Sequence, residues 1–164
     1  MEKSPIFIGN DHGGYTLKVA LVAHLREQGY PVGDVGSHSE DIVRYPYYGA
    51  AVASAISSGR ASRGILICST GIGMSILANK YKGVRAMLCF SSYQAKMTSA
   101  HNDSNILCLG GRCIGVFEAI DLVNNWLQTP YEGGRYDISL GLIGEAEAVN
   151  FSENHWTPEL PEEK

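Results

Sequence analysis

Gly64-Ile-Leu-Ile-Cys68-Ser-Thr-Gly71-Ile-Gly73-Met-Ser75 is the stretch on which the fold turns. Gly64 to Ile67 is a short, unbroken apolar run and reads as a strand buried on both faces. The glycines at 71 and 73 mark a turn, and the residues from about Ile72 to Lys80 read as a helix. Cys68 therefore stands where a strand ends and a helix opens. The amino end of a helix presents unpaired N–H groups and a partial positive charge. Such a place binds anions and favours a thiolate.

The same alternation runs outward in both directions. Strand-like segments are expected at Pro5–Gly9, Tyr30–Val35, Ile65–Cys68, Val84–Phe90 and Ile106–Leu109. Helical spacing of apolar residues is expected over Tyr15–Gln28, Tyr47–Ser58, Ile72–Lys80, Ser92–Ser99, Gly115–Leu127 and Asp137–Val149. Gly29 and Gly59 fit left-handed residues that stop the first two helices. Ser37 to Arg44 is polar and reads as loop. Continuous apolar strands alternating with helices imply an α/β fold with a parallel sheet covered on both faces. Ligands bind such sheets beyond the carboxyl ends of the strands. That rule puts Gly9–Gly14, Cys68–Ser75 and Phe90–Tyr93 on one rim.

The chain has 164 residues, suited to one compact domain over residues 1–150, with 151–164 as a carboxyl-terminal extension. Its 45% apolar and 18% charged content argues for a soluble globular protein. A net charge of −4 makes no electrostatic case for nucleic acid or an anionic membrane. No apolar run approaches the ~18 residues of a membrane span, and the amino terminus lacks a signal peptide's architecture, so the cytoplasm is expected. Cys68, Cys89, Cys108 and Cys113 contain no C-x-x-C pair, and no disulfide framework is expected. No Cys/His cluster has metal-ligand spacing, so no metal is expected.

Two nucleotide-binding readings of the glycine loop fail. Position 76 is Ile where a dinucleotide fingerprint needs Gly, and no Gly-Lys-Ser/Thr follows for a P-loop. A bland reading remains, in which Cys68 is a core thiol before an ordinary turn. Thr70, the two glycines and the helix start weigh against it. In Asn10-Asp11-His12-Gly13-Gly14, Asp11 fits a helix cap, or, beside His12, a proton carrier for a polyol's oxygens. His101-Asn102-Asp103 lies between a helix and a strand and is compatible with a plain turn. Arg112 and Arg135 each end a Gly-Gly-Arg triplet, a setting for gripping phosphate or for simple exposure.

Taken together, Gly9–Gly14, Tyr45-Pro46, Ile67–Ser75 with Ala78-Asn-Lys80, Gly83-Val-Arg85, His101–Asn105 and Tyr131–Arg135 resemble the ribose-5-phosphate isomerase type B family, which includes the galactose-6-phosphate isomerase subunits. The resemblance spans roughly residues 5 to 140. It implies a Rossmann-like, three-layer α/β/α sandwich with a five-stranded parallel sheet. It also implies homodimers, sometimes tetramers, with active sites shared between subunits, and no metal or nicotinamide cofactor. The implied reaction interconverts an aldose phosphate and a ketose phosphate through a cis-enediolate, ribose 5-phosphate first. Cys68 would be the base between C1 and C2. The amides of Gly71, Ile72, Gly73, Met74 and Ser75 would form the anion hole. Asp11 and Thr70 would carry hydroxyl protons, and His101 would open the furanose ring. His12, Tyr45 and Asn102 would contact the sugar, and Arg112 and Arg135 the phosphate.

Two departures bear on the substrate. The family's loop usually has Gly after the cysteine, and here Ser69 stands there. The family's second carboxyl-terminal arginine usually lies four residues past the first, and here that position is Ser139. A four- or six-carbon or unphosphorylated sugar is the alternative substrate these departures raise. A non-catalytic sugar-phosphate binding protein and a thiol redox sensor are the alternatives of another kind.

Overall fold

The computed structural model describes residues 4–151. Residues 152–164, nearly all of the expected carboxyl-terminal extension, lie outside the described residues. Five strands, β1 (Ile6–Asn10), β2 (Val32–Asp34), β3 (Arg63–Cys68), β4 (Ala86–Leu88) and β5 (Ile106–Gly110), form one sheet in the order β2-β1-β3-β5-β4. Every pairing is parallel. The α/β sandwich expected from the alternation is the observed fold.

Register explains why the strands read as unbroken apolar runs. On β3, Ile65 and Ile67 face one layer and Leu66 and Cys68 the other. The first pair joins Ile6, Ile8, Leu107, Leu109 and Trp126 beneath α1 (Tyr15–Glu27) and α5 (Val116–Gln128). The second joins Val52, Met74, Ile106 and Cys108 beneath α2 (Tyr45–Ser57) and α3 (Ile72–Ala78). Both faces of the sheet are covered by helices, as parallel sheets require.

The strand order reverses between β1 and β3: the chain leaves β1 toward one edge and β3 toward the other. The loops after these two strands therefore diverge and leave a crevice at the carboxyl end of the sheet. Both loops carry candidate site residues, Asp11 and His12 on one and Cys68 and Thr70 on the other.

Three local readings are corrected. The fourth strand is shorter than Val84–Phe90, because β4 is an edge strand that pairs with β5 alone. His101 and Asn102 are not loop residues but the last turn of α4 (Ser92–Asn102). The chain leaves that helix at Asp103, whose φ of 43° is left-handed. Asn and Asp are turn formers that also tolerate this cap, so the triplet alone does not say where the helix stops. Finally, α6 (Arg135–Asn150) starts two residues earlier than expected, directly after Gly133 and Gly134, both at positive φ. No residue of α6 is buried, and Ile138, Leu142, Ile143 and Val149 are exposed on it. No helix among the described residues is long and apolar enough to cross a membrane.

Candidate active site

Backbone bonds between strand ends bind the loops after β1, β3 and β5 to one another. Asp11 N–H donates to Ile67 O (3.1 Å), Gly111 N–H to Cys68 O (2.8 Å) and Arg112 N–H to Ser69 O (3.0 Å). The loops touch so closely that a side chain on Gly13 would collide with Ser69 Oγ, and one on Gly111 with Gly13 O. Asp11, His12, the 68–75 turn and Arg112 are thus brought together by the sheet itself.

Cys68 is buried at the end of β3, and Gly71 N–H donates to its sulfur at 3.1 Å. Gly71 makes this possible with φ of 77°, a conformation that costs other residues ~1–2 kcal/mol. The turn's five amides are not equivalent. Gly71 N–H is given to Cys68 Sγ, Ile72 N–H reaches Thr70 Oγ1 at a long 3.4 Å, and Ser75 N–H closes the first helical turn on Gly71 O. The donors of Gly73 and Met74 remain for a ligand. Tyr45 lies over the same turn: a Cβ on Gly73 would stand 2.8 Å from its ring.

Asp11 caps the short 3-10 turn His12–Gly14, its carboxylate accepting from Gly13 N–H at 2.9 Å. Burial raises its pKa above the ordinary value, opposed by that hydrogen bond and by nearby His12, Gly14 and Arg112. Its neighbour Asn10 is fully buried, with Nδ2 on Asp11 O at 2.9 Å. His12 Nδ1 accepts from Val43 N–H at 3.3 Å, so in the neutral ring the proton sits on Nε2, the nitrogen left for a ligand. Asp11 and His12 form one wall of a cleft of about 430 Å³; Ile42 to Tyr47 form the other. That volume suits a small ligand, whose sites run ~300–1,000 Å³. Cys68 and Thr70 are not in its wall, and Tyr45, against Gly73, joins the cleft to the thiol turn.

The structure does not bring His101, Asn102 and Arg135 to this place. Arg85, just before β4, donates from Nε to Asn102 O (3.1 Å) and Asp103 O (2.8 Å), and Asn105 leads into β5. These residues therefore lie at the amino end of the sheet. The six residues of β3 alone separate the two ends by roughly 17 Å. There His101 stacks on Tyr136 (4.2 Å between ring centres, 16° apart), with Nε2 3.8 Å from Glu132 Oε2. Arg135 donates to Tyr136 Oη at 2.8 Å. His101, Tyr136 and Arg135 form a second cluster, half-exposed.

Of the far wall of the cleft, sequence reasoning named Tyr45 and missed Ile42 to Arg44. Ser37–Arg44 reads as an unremarkable polar loop, yet Val43 orients His12 and Arg44 lines the cleft. The one local signal was that Arg44 directly precedes Tyr45-Pro46.

A family model described as Ribose/Galactose Isomerase matches residues 6–143. The ribose-5-phosphate isomerase B of Escherichia coli is 46% identical over 131 residues, covering 80% of this chain and 88% of that protein. The solved ribose-5-phosphate isomerase B of Clostridium thermocellum is 49% identical, with a TM-score of 0.86 over 88% of this chain and 97% of that one. The Mycoplasma genitalium enzyme, solved with bound ribulose 5-phosphate, is 35% identical, with a TM-score of 0.86 over 89% and 97% of the two chains.

Proposed function

Given that this chain belongs to the ribose/galactose isomerase family, we propose that it interconverts ribose 5-phosphate and ribulose 5-phosphate with Cys68 as the carbon base. It is an aldose–ketose isomerase acting on a sugar phosphate. The observation that carries the assignment of the base is the Cys68 sulfur held 3.1 Å from Gly71 N–H, beside Asp11, at the topological switch point of the sheet.

The chemistry follows from those groups. Cys68 takes the proton from C2 of the open-chain aldose, and the electron pair forms the C1=C2 bond as O1 gains negative charge. The free amides of Gly73 and Met74 stabilise that charge, because donors fixed in advance cost no reorganisation. Cys68 returns the proton to C1. Asp11 and Thr70 move the remaining proton from O2 to O1, so that the enediolate collapses to the ketose. Burial keeps the Asp11 carboxyl closer to neutral pH than an exposed one, which suits a group that must both give and take a proton. His12, Tyr45 and Asn102 hold the sugar, Arg112 and Arg135 the phosphate, and His101 opens the ring.

The ~17 Å between the two clusters means one chain cannot close the site alone. A second copy completes it: its His101, Asn102 and Arg135 meet this chain's Cys68 and Asp11. The unburied α6 and its exposed Ile138, Leu142 and Ile143 support that partner. We assign the isomerase unit to residues 1–150, 151–164 to an extension, and the protein to the cytoplasm.

Isomerisation of ribose 5-phosphate in D2O tests the reading. Deuterium enters at the exchanged carbon during turnover; binding without exchange overturns it. Ser69 and Ser139 favour, as a second substrate reading, a four- or six-carbon or unphosphorylated sugar. A panel of sugars with and without phosphate separates the two.

A further inference from the structure

Ser139 leaves the proposed phosphate site one arginine short of what the resemblance leads one to expect. The structure holds a cation that was not counted. Arg44 stands directly before α2 and lines the 430 Å³ cleft with Asp11, His12 and Tyr45. It is exposed, and its guanidinium has no hydrogen-bond or ion-pair partner among the described residues. Two other arginines are engaged within the fold: Arg63 by Ser104 O and the Trp126 ring, and Arg85 by Asp103. The acidic neighbours of Arg44 form no ion pair with it among the described residues. Glu40 accepts from Thr16 Oγ1 at 2.9 Å and Asp41 from Ser39 Oγ at 3.1 Å.

We infer that Arg44 grips the substrate's phosphate in this chain, taking the role left open at Ser139. The inference rests on the reading of the cleft as the sugar-phosphate site. Its chemistry is that of a phosphomonoester, which carries about −1.5 to −2 at neutral pH and calls for more than one cation. Arg112, close enough to Asp11 to act on its charge, supplies one from the β5 loop. Arg44 supplies another from the opposite wall, and a guanidinium fork suits two phosphate oxygens at once. The amino end of α2 adds its own positive potential behind it. Both cations belong to the same chain as Cys68, so anchoring does not wait on the arginine of a partner. Ser139 is thereby explained: a clamp on the cleft wall makes the second one on α6 dispensable.

The test uses the full-length protein and the variants Arg44→Gln and Arg44→Lys. Steady-state kinetics with ribose 5-phosphate, and calorimetric titration with inorganic phosphate, are compared with wild type. Loss of one charged hydrogen-bonding group is expected to raise KM and the phosphate Kd by about 10- to 100-fold in Arg44→Gln. The expected change in kcat is under about threefold, since the reacting carbons are untouched. Arg44→Lys falls between, as a point charge without the fork. KM and phosphate Kd within twofold of wild type in both variants overturn the inference while leaving the isomerase reading intact. Arg44-dependent phosphate binding by a wild-type protein that turns over no sugar phosphate supports the inference and overturns the isomerase reading instead.

Discussion

At the carboxyl end of the sheet, Cys68, Asp11 and the 68–75 turn are locked by backbone bonds and by glycines that admit no side chain. At the amino end, His101, Asn102 and Arg135 stand half-exposed or exposed on α4 and α6, and no residue of α6 is fully buried. The first region is held together within one chain. The second is a set of side chains proposed to reach the substrate from a neighbouring copy, and it stands about 17 Å from the first. The difference follows from topology: in a parallel sheet the loops after the strands share one end, while the helix ends that lead back into the strands share the other. The rigidity of the first suits the proton transfer proposed for Cys68 and Asp11. The looser setting of the second is compatible with the ring-opening role proposed for His101.

The comparison breaks first at Cys68. Cys68→Ala should lower turnover by about 10³-fold or more, the scale of a lost carbon base, with a nearly unchanged thermal melt. Retained turnover would remove Cys68 as base. His101→Asn should cost about 10²-fold with ribose 5-phosphate. With a four-carbon aldose phosphate, which has no furanose to open, the loss should be much smaller; equal losses on both sugars would contradict the ring-opening role.

Asp11→Asn should cost about 10- to 100-fold in kcat and yet keep or raise stability at neutral pH. The sign follows from burial. Asp11's raised pKa means the folded protein holds that proton more tightly than the unfolded chain. Wild type therefore loses stability as pH rises from the ordinary carboxylate range up through the raised value. Asparagine, which keeps an acceptor for Gly13 N–H, is spared that loss. Melting temperatures of both proteins against pH should diverge in this window, with the variant higher above it. The smallest effect belongs to Glu132→Gln. Its 3.8 Å pair with His101 is exposed, and such pairs are worth less than ~1 kcal/mol, so activity should stay within about fivefold.

Much of this was legible in the sequence, for a physical reason. Gly64 to Cys68 is buried on both faces, so its apolar run is unbroken, and the glycines after it mark the turn wherever the rest of the chain lies. The bonds from Val43 to His12 and the approach of Arg44 to the cleft join segments about 30 residues apart, and local pattern carries no trace of them. The His101 helix end was hidden differently: Asn102 and Asp103 signal a turn, yet the helix expected to end at Ser99 runs on through Asn102, whose carbonyl is held by Arg85. Nor could spacing tell which amides of residues 71–75 stay free, because that depends on where Cys68 Sγ and Gly71 O point.

The central claim is that these two ends meet across two copies of the chain. Refolding inactive Cys68→Ala together with His101→Asn tests it directly. In a mixed dimer one site would carry both lesions and the other neither. Random pairing makes half the dimers mixed, each with one intact site, so the account predicts recovery of about a quarter of wild-type activity. Activity no greater than the average of the two parents would contradict it.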